Sequence, residues 1–213
     1  MPGKQSDKVA GAYDRGASTY VESWSGVHPW MSDARNEFER RTHAGMTLLD
    51  IGCGPGHDSW YWSEKGIKTL GIDISSSTIA VAQRLYPKLA FHIFDVLELE
   101  KIDAKFDAIW MAYSLLHIAK ADAHSAVQAV RHCLKPKGLF FVETSISDST
   151  SESIRPIAGL KDTDGQEIAV PYTTWSEKDL RAMLDPDFNL EWSKVYSVLP
   201  GRPKVWSAIM RRL

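Results

Sequence analysis

Leu48-Leu49-Asp50-Ile51-Gly52-Cys53-Gly54-Pro55-Gly56-His57-Asp58 is the stretch from which the fold can be read. Residues 47–51 form a short apolar run of the kind buried in a parallel sheet, and a helical pattern begins near His57. Between them stand three glycines at every second position, so backbone N–H groups and the helix N-terminus can face a ligand with no Cβ atoms in the way. A dinucleotide fingerprint would read G-x-G-x-x-G. Here the third glycine comes one residue early and His57 takes its place, which disfavours a nicotinamide-dependent oxidoreductase. Further along, Gly71-Ile72-Asp73-Ile74-Ser75 closes a second apolar run with an acid, and a carboxylate there can accept both hydroxyls of a ribose.

Outward from this stretch, short apolar runs alternate with helical stretches, the signature of an α/β fold with a mostly parallel sheet. Strands are predicted at residues 47–51, 67–72, 90–94, 106–112 and 139–144, and helices at about 57–65, 75–85 and 121–134. Gly66 is placed as a left-handed C-cap and Ser75 to Ser77 as N-cap candidates. Ala123, Ala126, Val127, Val130 and Leu134 recur at helical spacing, and Lys135-Pro136-Lys137-Gly138 predicts a turn. Residues 145–174 are rich in Ser, Thr, Asp, Gly and Pro and lack a sustained period, which predicts an irregular connection acting as a mobile lid or left disordered. A helix at 176–184 and strand-like runs at 189–199 and 205–211 bring the sheet to seven strands. Residues 1–45 are read as a helical cap, 46–145 as the ligand-binding core, and 146–213 as the lid with the C-terminal sheet elements, all within one domain.

With these motifs in place, the chain resembles the class I S-adenosylmethionine-dependent methyltransferases over roughly residues 40–145. The resemblance implies a Rossmann-like, seven-stranded, mostly parallel sheet with helices on both faces. It also implies S-adenosylmethionine as cofactor and S-adenosylhomocysteine as product. Carried over by position, Asp50, Gly52, Gly54 and Gly56 border the methionine part of the cofactor, Asp73 the ribose and Ile74 the adenine. Asp95 and Val96 match the adenine-edge motif, and backbone near Met111 and Ala112 matches a further cofactor contact. Tyr13-Asp14 followed by Tyr20 is similar to the Tyr-Asp…Tyr opening of such enzymes, where the first tyrosine approaches the cofactor.

Methyl transfer from a sulfonium is an in-line displacement, so the protein mainly aligns the reactants and excludes water. An acceptor with a proton to shed benefits from a base. His117 is the candidate catalytic residue, because the loop after the fourth strand opens towards the transferred methyl in this fold. Its unperturbed pKa near ~6.5 suits neutral pH. Tyr20, Trp24, His28, Trp30, Tyr172 and Trp175 are candidates to close over the acceptor, with core packing an open alternative for each tryptophan. Asp107 is read as a turn residue or helix-facing partner, and Asp58 as a first-turn acid favoured by the helix dipole.

The 213 residues carry 25 Lys and Arg against 27 Asp and Glu, a net charge of −2, which disfavours a polyanion as partner. Met111-Ala112-Tyr113-Ser114 also lacks the Asn/Asp-Pro-Pro-Tyr/Phe tetrapeptide of nucleic-acid amino methyltransferases. The histidines are scattered, and Trp110-Met111-Ala112 lacks the acid that metal-dependent O-methyltransferases place there, so no metal is expected. Cys53 and Cys133 sit in unlike settings and do not suggest a disulfide framework. No apolar run reaches membrane-spanning length and no signal-peptide core is present, which predicts a cytoplasmic protein without a membrane partner. The reading is a methyltransferase acting on a small molecule with an aromatic or apolar body. A module that binds the cofactor without turnover is the rival from another class.

Overall fold

A computed structural model describes residues 4–23, 31–198 and 203–213. Helices α1 (Lys4–Ser23) and α2 (Ser32–Glu39) precede the sheet. The core then runs β1 (Thr47–Ile51), α3 (His57–Glu64), β2 (Lys68–Asp73), α4 (Ser76–Leu85), β3 (Ala90–Ile93), β4 (Phe106–Ala112), α5 (Lys120–Cys133) and β5 (Leu134–Ile146). The chain closes with β6 (Ser151–Lys161), β7 (Glu167–Thr174), α6 (Glu177–Leu184), β8 (Phe188–Tyr196) and β9 (Lys204–Arg212). Seven strands form one sheet in the order β3-β2-β1-β4-β5-β9-β8. The pairs from β3 to β5 are parallel, while β9 is antiparallel to both β5 and β8. The mostly parallel α/β sheet read from the sequence is therefore the one observed.

Local chemistry explains the starts of two helices. Ser75 caps α4 by accepting from the Thr78 N–H at 3.2 Å, and Ser176 caps α6 by accepting from Asp179 N–H at 3.1 Å. One face of the sheet packs on α5 and α6 through residues such as Ile109, Met111, Phe140, Val142 and Trp206. The other face buries Leu48, Trp110 and Phe141 against Phe38 of α2 and Trp62 of α3. Alternating strand residues thus serve opposite cores, as a sheet covered on both sides requires.

Three expectations need correction. Residues 145–174 are not irregular: β6 and β7 form an antiparallel hairpin, turned where Asp162 Oδ1 accepts from the Asp164 and Gln166 N–H groups. Its apolar residues Leu160, Ile168 and Val170 are too few among polar neighbours to carry a sustained period, yet they are buried against Val9 and Ala12 of α1. Tertiary packing on a distant helix supplies what local patterning lacks. Second, Lys135 to Gly138 do not end a helix before a strand but form a bulge inside β5, where Phe106 pairs with Leu134 and Ala108 with Leu139. Third, Trp175, a candidate to close over the acceptor, is a core residue, as are Trp62, Trp110 and Trp206 among the described residues, while the exposed Trp60 stacks on Tyr86.

Candidate functional site

The strand order reverses at β1, which has β2 on one side and β4 on the other. Open α/β sheets bind ligands at the carboxyl ends of strands at such a switch point. There the protein has a cavity of about 310 Å³, roofed by α1 and the β6–β7 hairpin.

One end is built by the glycine loop and two acids. Gly52 has φ +69°, and a Cβ on it would stand 1.9 Å from the Ser114 Oγ, so only glycine fits between strand end and neighbouring loop. Asp73 pins the loop from below, with Oδ2 accepting from the Gly54 N–H at 2.9 Å and Oδ1 from the Ser75 N–H at 2.8 Å. Burial pushes the Asp73 carboxyl up, and those backbone donors pull it partly back. Asp95 uses Oδ1 to accept from the Leu97 N–H at 2.9 Å, while its buried Oδ2 has no hydrogen-bond partner among the described residues. Asp14 of α1 accepts from Ser77 N–H and Ser75 Oγ–H at 2.9 and 2.7 Å, which ties α1 to the start of α4 and sets Tyr13 over the cavity. Burial raises the Asp14 carboxyl, but the donors from Ser77, Ser75 and Ser76 outweigh it and hold it below its usual range.

The other end is aromatic. His117 Nδ1 lies 2.9 Å from the Pro171 carbonyl oxygen, which can only accept, so Nδ1 carries the proton. His117 Nε2 is then the acceptor for the Tyr13 hydroxyl at 2.9 Å. Gln5 Nε2 donates to the His117 carbonyl at 3.0 Å, so α1 also holds the loop backbone. Tyr172 stands edge-on to His117 with ring centroids 6.0 Å apart, and its hydroxyl is paired with Ser145 Oγ. Burial lowers the His117 pKa to about 4 against a smaller upward pull from the Pro171 carbonyl, so the pKa near 6.5 expected from the sequence is corrected. Arg35, on the same cavity wall, is ion-paired with Asp58, which also accepts from the Trp110 indole N–H at 3.0 Å.

Of the residues singled out by sequence, Tyr13, Tyr20, Gly52, Gly54, Asp73, Ile74, Asp95, Val96, Ala112, His117 and Tyr172 all line this cavity. Asp50, Gly56, Met111 and Trp175 do not. Asp50 is buried behind the loop and accepts from Ser59 Oγ–H at 2.6 Å; burial and the neighbouring Asp58 push its carboxyl up. Gly56 packs against Phe91, while Met111 and Trp175 belong to the main core. Trp24, His28 and Trp30 lie outside the described residues. Asp107 sits at the far end of β4, accepting from Thr47 and Lys135, which hold its carboxyl down at about 2 despite the opposing effect of burial. Sequence reasoning missed Arg35, Ser145 and Arg155 on the wall. Arg35 lies in a charged helical stretch and the other two at or beyond the end of β5, with no motif to mark them.

Residues 48–138 match the methyltransferase domain family. The chain is 28% identical over 163 residues to the malonyl-[acyl-carrier protein] O-methyltransferase of Enterobacter lignolyticus, covering 71% of this chain and 59% of that protein. It is also 28% identical over 162 residues to the ubiquinone biosynthesis O-methyltransferase of Pseudomonas paraeruginosa, covering 73% of this chain and 66% of that one. The chain thus spans about three fifths to two thirds of the length of these relatives. Among solved structures, the magnesium protoporphyrin IX methyltransferase of Synechocystis with bound SAM superposes with a TM-score of 0.71 at 15% identity, over 100% of this chain and 99% of that one, which establishes the shared fold. The chain is thus similar to S-adenosylmethionine-dependent methyltransferases in sequence and fold, with the family match confined to residues 48–138. No helix among the described residues is long and apolar enough to cross a membrane.

Proposed function

We propose that this protein transfers a methyl group from S-adenosylmethionine to a small molecule with an aromatic or apolar body. The observation that carries the reading is the division of one cavity into a glycine-and-carboxylate end and an aromatic end. The first end suits the cofactor: the orphaned Asp95 Oδ2 needs a donor such as the adenine amino group, and Asp73 retains lone pairs for ribose hydroxyls. When bound there, the cofactor supplies an electrophilic sulfonium methyl. Gly52 and Gly54 hold it closely, Ile74 and Val96 flank the adenine, and Ala112 closes the strand end beside it.

Tyr13, Tyr20 and Tyr172 hold the acceptor and keep water out, which supports alignment of the displacement. Both relatives are O-methyltransferases by name, which supports an oxygen acceptor. We assign His117 to take the acceptor's proton through Tyr13: the acceptor hydroxyl gives its proton to the Tyr13 oxygen as the Tyr13 proton passes to His117 Nε2. The imidazolium keeps its Nδ1–H on the Pro171 carbonyl.

Calorimetric titration with S-adenosylmethionine, S-adenosylhomocysteine and NAD tests the cofactor. Binding of the first two without NAD is expected, and tight NAD binding alone would return the oxidoreductase reading. Turnover in a screen of acceptors with labelled methyl donor separates an enzyme from a module that only binds.

The His117→Gln variant tests the proton route with two readouts. In single turnovers, the wild-type acid limb should lie near pH 4 and vanish in the variant. For stability, the unfolded imidazole protonates near ~6.5 while the folded one stays neutral to about pH 4, so the unfolded state binds the extra proton between them. The wild type should therefore lose stability relative to the variant as pH falls through that window, by about 1 to 3 kcal/mol, the lower values reflecting a ring that borders the cavity. Equal pH dependence of the two urea midpoints would contradict this.

A further inference from the structure

Among the described residues, two guanidinium groups stand on the cavity wall. Arg35 is neutralised by Asp58. Arg155 of β6 is held by neutral groups only: its Nε and Nη2 donate to Ser153 Oγ at 3.1 and 3.0 Å, and Nη2 donates to Thr174 Oγ1 at 3.2 Å. Its carbon centre lies 4.2 Å from the Tyr172 ring centroid, a cation–π arrangement that fixes the plane of the group. Among the described residues it makes no ion pair, and the residues outside that set include no Asp or Glu. Its Nη1 has no hydrogen-bond partner among the described residues.

A half-buried cation is stabilised best by an opposite charge, and a planar carboxylate matches a guanidinium. The acids that line the cavity are committed elsewhere: Asp58 to Arg35, and Asp73 and Asp95 to backbone N–H groups at the opposite end. Arg155 stands instead on Tyr172, whose ring meets His117, and so faces the acceptor end. We propose that Arg155 is a specificity-determining residue that holds a carboxylate on the acceptor through Nη1, so that the substrate class is a carboxylic acid with an aromatic or apolar body. This rests on reading the aromatic end of the cavity as the acceptor site.

The test is ligand binding to the full chain, with and without S-adenosylhomocysteine, using benzoate, phenylacetate and octanoate, each beside its primary amide. In the wild type at least one acid should bind about 10- to 100-fold more tightly than its amide, the range of a charge-assisted hydrogen bond. That preference should disappear in Arg155→Gln and largely persist in Arg155→Lys, with unchanged melting temperature and S-adenosylhomocysteine affinity in both. Amides that bind as well as their acids, or a preference that survives in Arg155→Gln, would overturn the assignment. Failure of S-adenosylhomocysteine to bind would sink the cofactor reading instead, since the acid preference is read without it as well.

Discussion

Trp110→Ala should lower the unfolding free energy by about 3 to 5 kcal/mol, the range for removing a fully buried indole. Trp110 is wholly inaccessible on β4. It stacks on Phe141 with centroids 3.7 Å apart, and meets Phe38 and Trp62 edge-on at 5.1 and 4.9 Å. No neighbour can swing in to fill the space, because all three rings are themselves fixed by the sheet, α2 and α3. The substitution also removes the indole N–H that donates to Asp58 and so leaves that carboxylate less well satisfied beside Arg35. Urea unfolding should show a lower midpoint with an unchanged slope, and Trp110→Phe should recover part of the loss. A loss under about 1 kcal/mol would mean that this face of the sheet repacks freely, contrary to its close ring contacts.

The second large effect falls on cofactor affinity. Asp73→Ala is expected to weaken S-adenosylhomocysteine binding by about 2 to 4 kcal/mol, roughly 30- to 1000-fold. Two losses combine. The ribose hydroxyls lose a charged acceptor, and the Gly54 and Ser75 N–H groups lose the oxygens that hold the loop in its binding shape. Asp73→Asn keeps one acceptor oxygen and should fall between the wild type and the alanine variant. Calorimetry on each folded variant measures the difference, and an alanine variant that binds as tightly as wild type would remove Asp73 from the ribose site.

How far this protein can be read from its sequence depends on how local the cause is. The loop from Gly52 to Gly56, the acid closing β2 and the serine cap on α4 are short-range devices, each requiring particular residues within a few positions. They identify the fold, its switch point and the end of the cavity where Asp73 and Asp95 stand. The same holds for the amphipathic spacing of α5. The hairpin of β6 and β7 carries no such mark. It forms because α1, more than a hundred residues earlier, offers Val9 and Ala12 to Leu160, Ile168 and Val170.

The aromatic end of the cavity follows from that packing. Pro171 reaches His117 only because β7 crosses the loop after β4, and the burial that comes with this packing, against the smaller upward pull of the Pro171 carbonyl, changes a histidine of ordinary basicity into one held neutral down to about pH 4. Trp175 shows the same limit, since sequence leaves it open between pocket and core, and only the layers packed on that face decide for the core. Arg155 is an unremarked arginine in a polar stretch until folding lays it on Tyr172 without a counter-ion. Backbone conformation and period are properties of neighbours along the chain, whereas burial, charge pairing and pKa are properties of neighbours in space. Sequence by itself determined the sheet, the glycine loop and the class of cofactor it suits; the tertiary structure alone decided which side chains line the aromatic end of the cavity and in what protonation state.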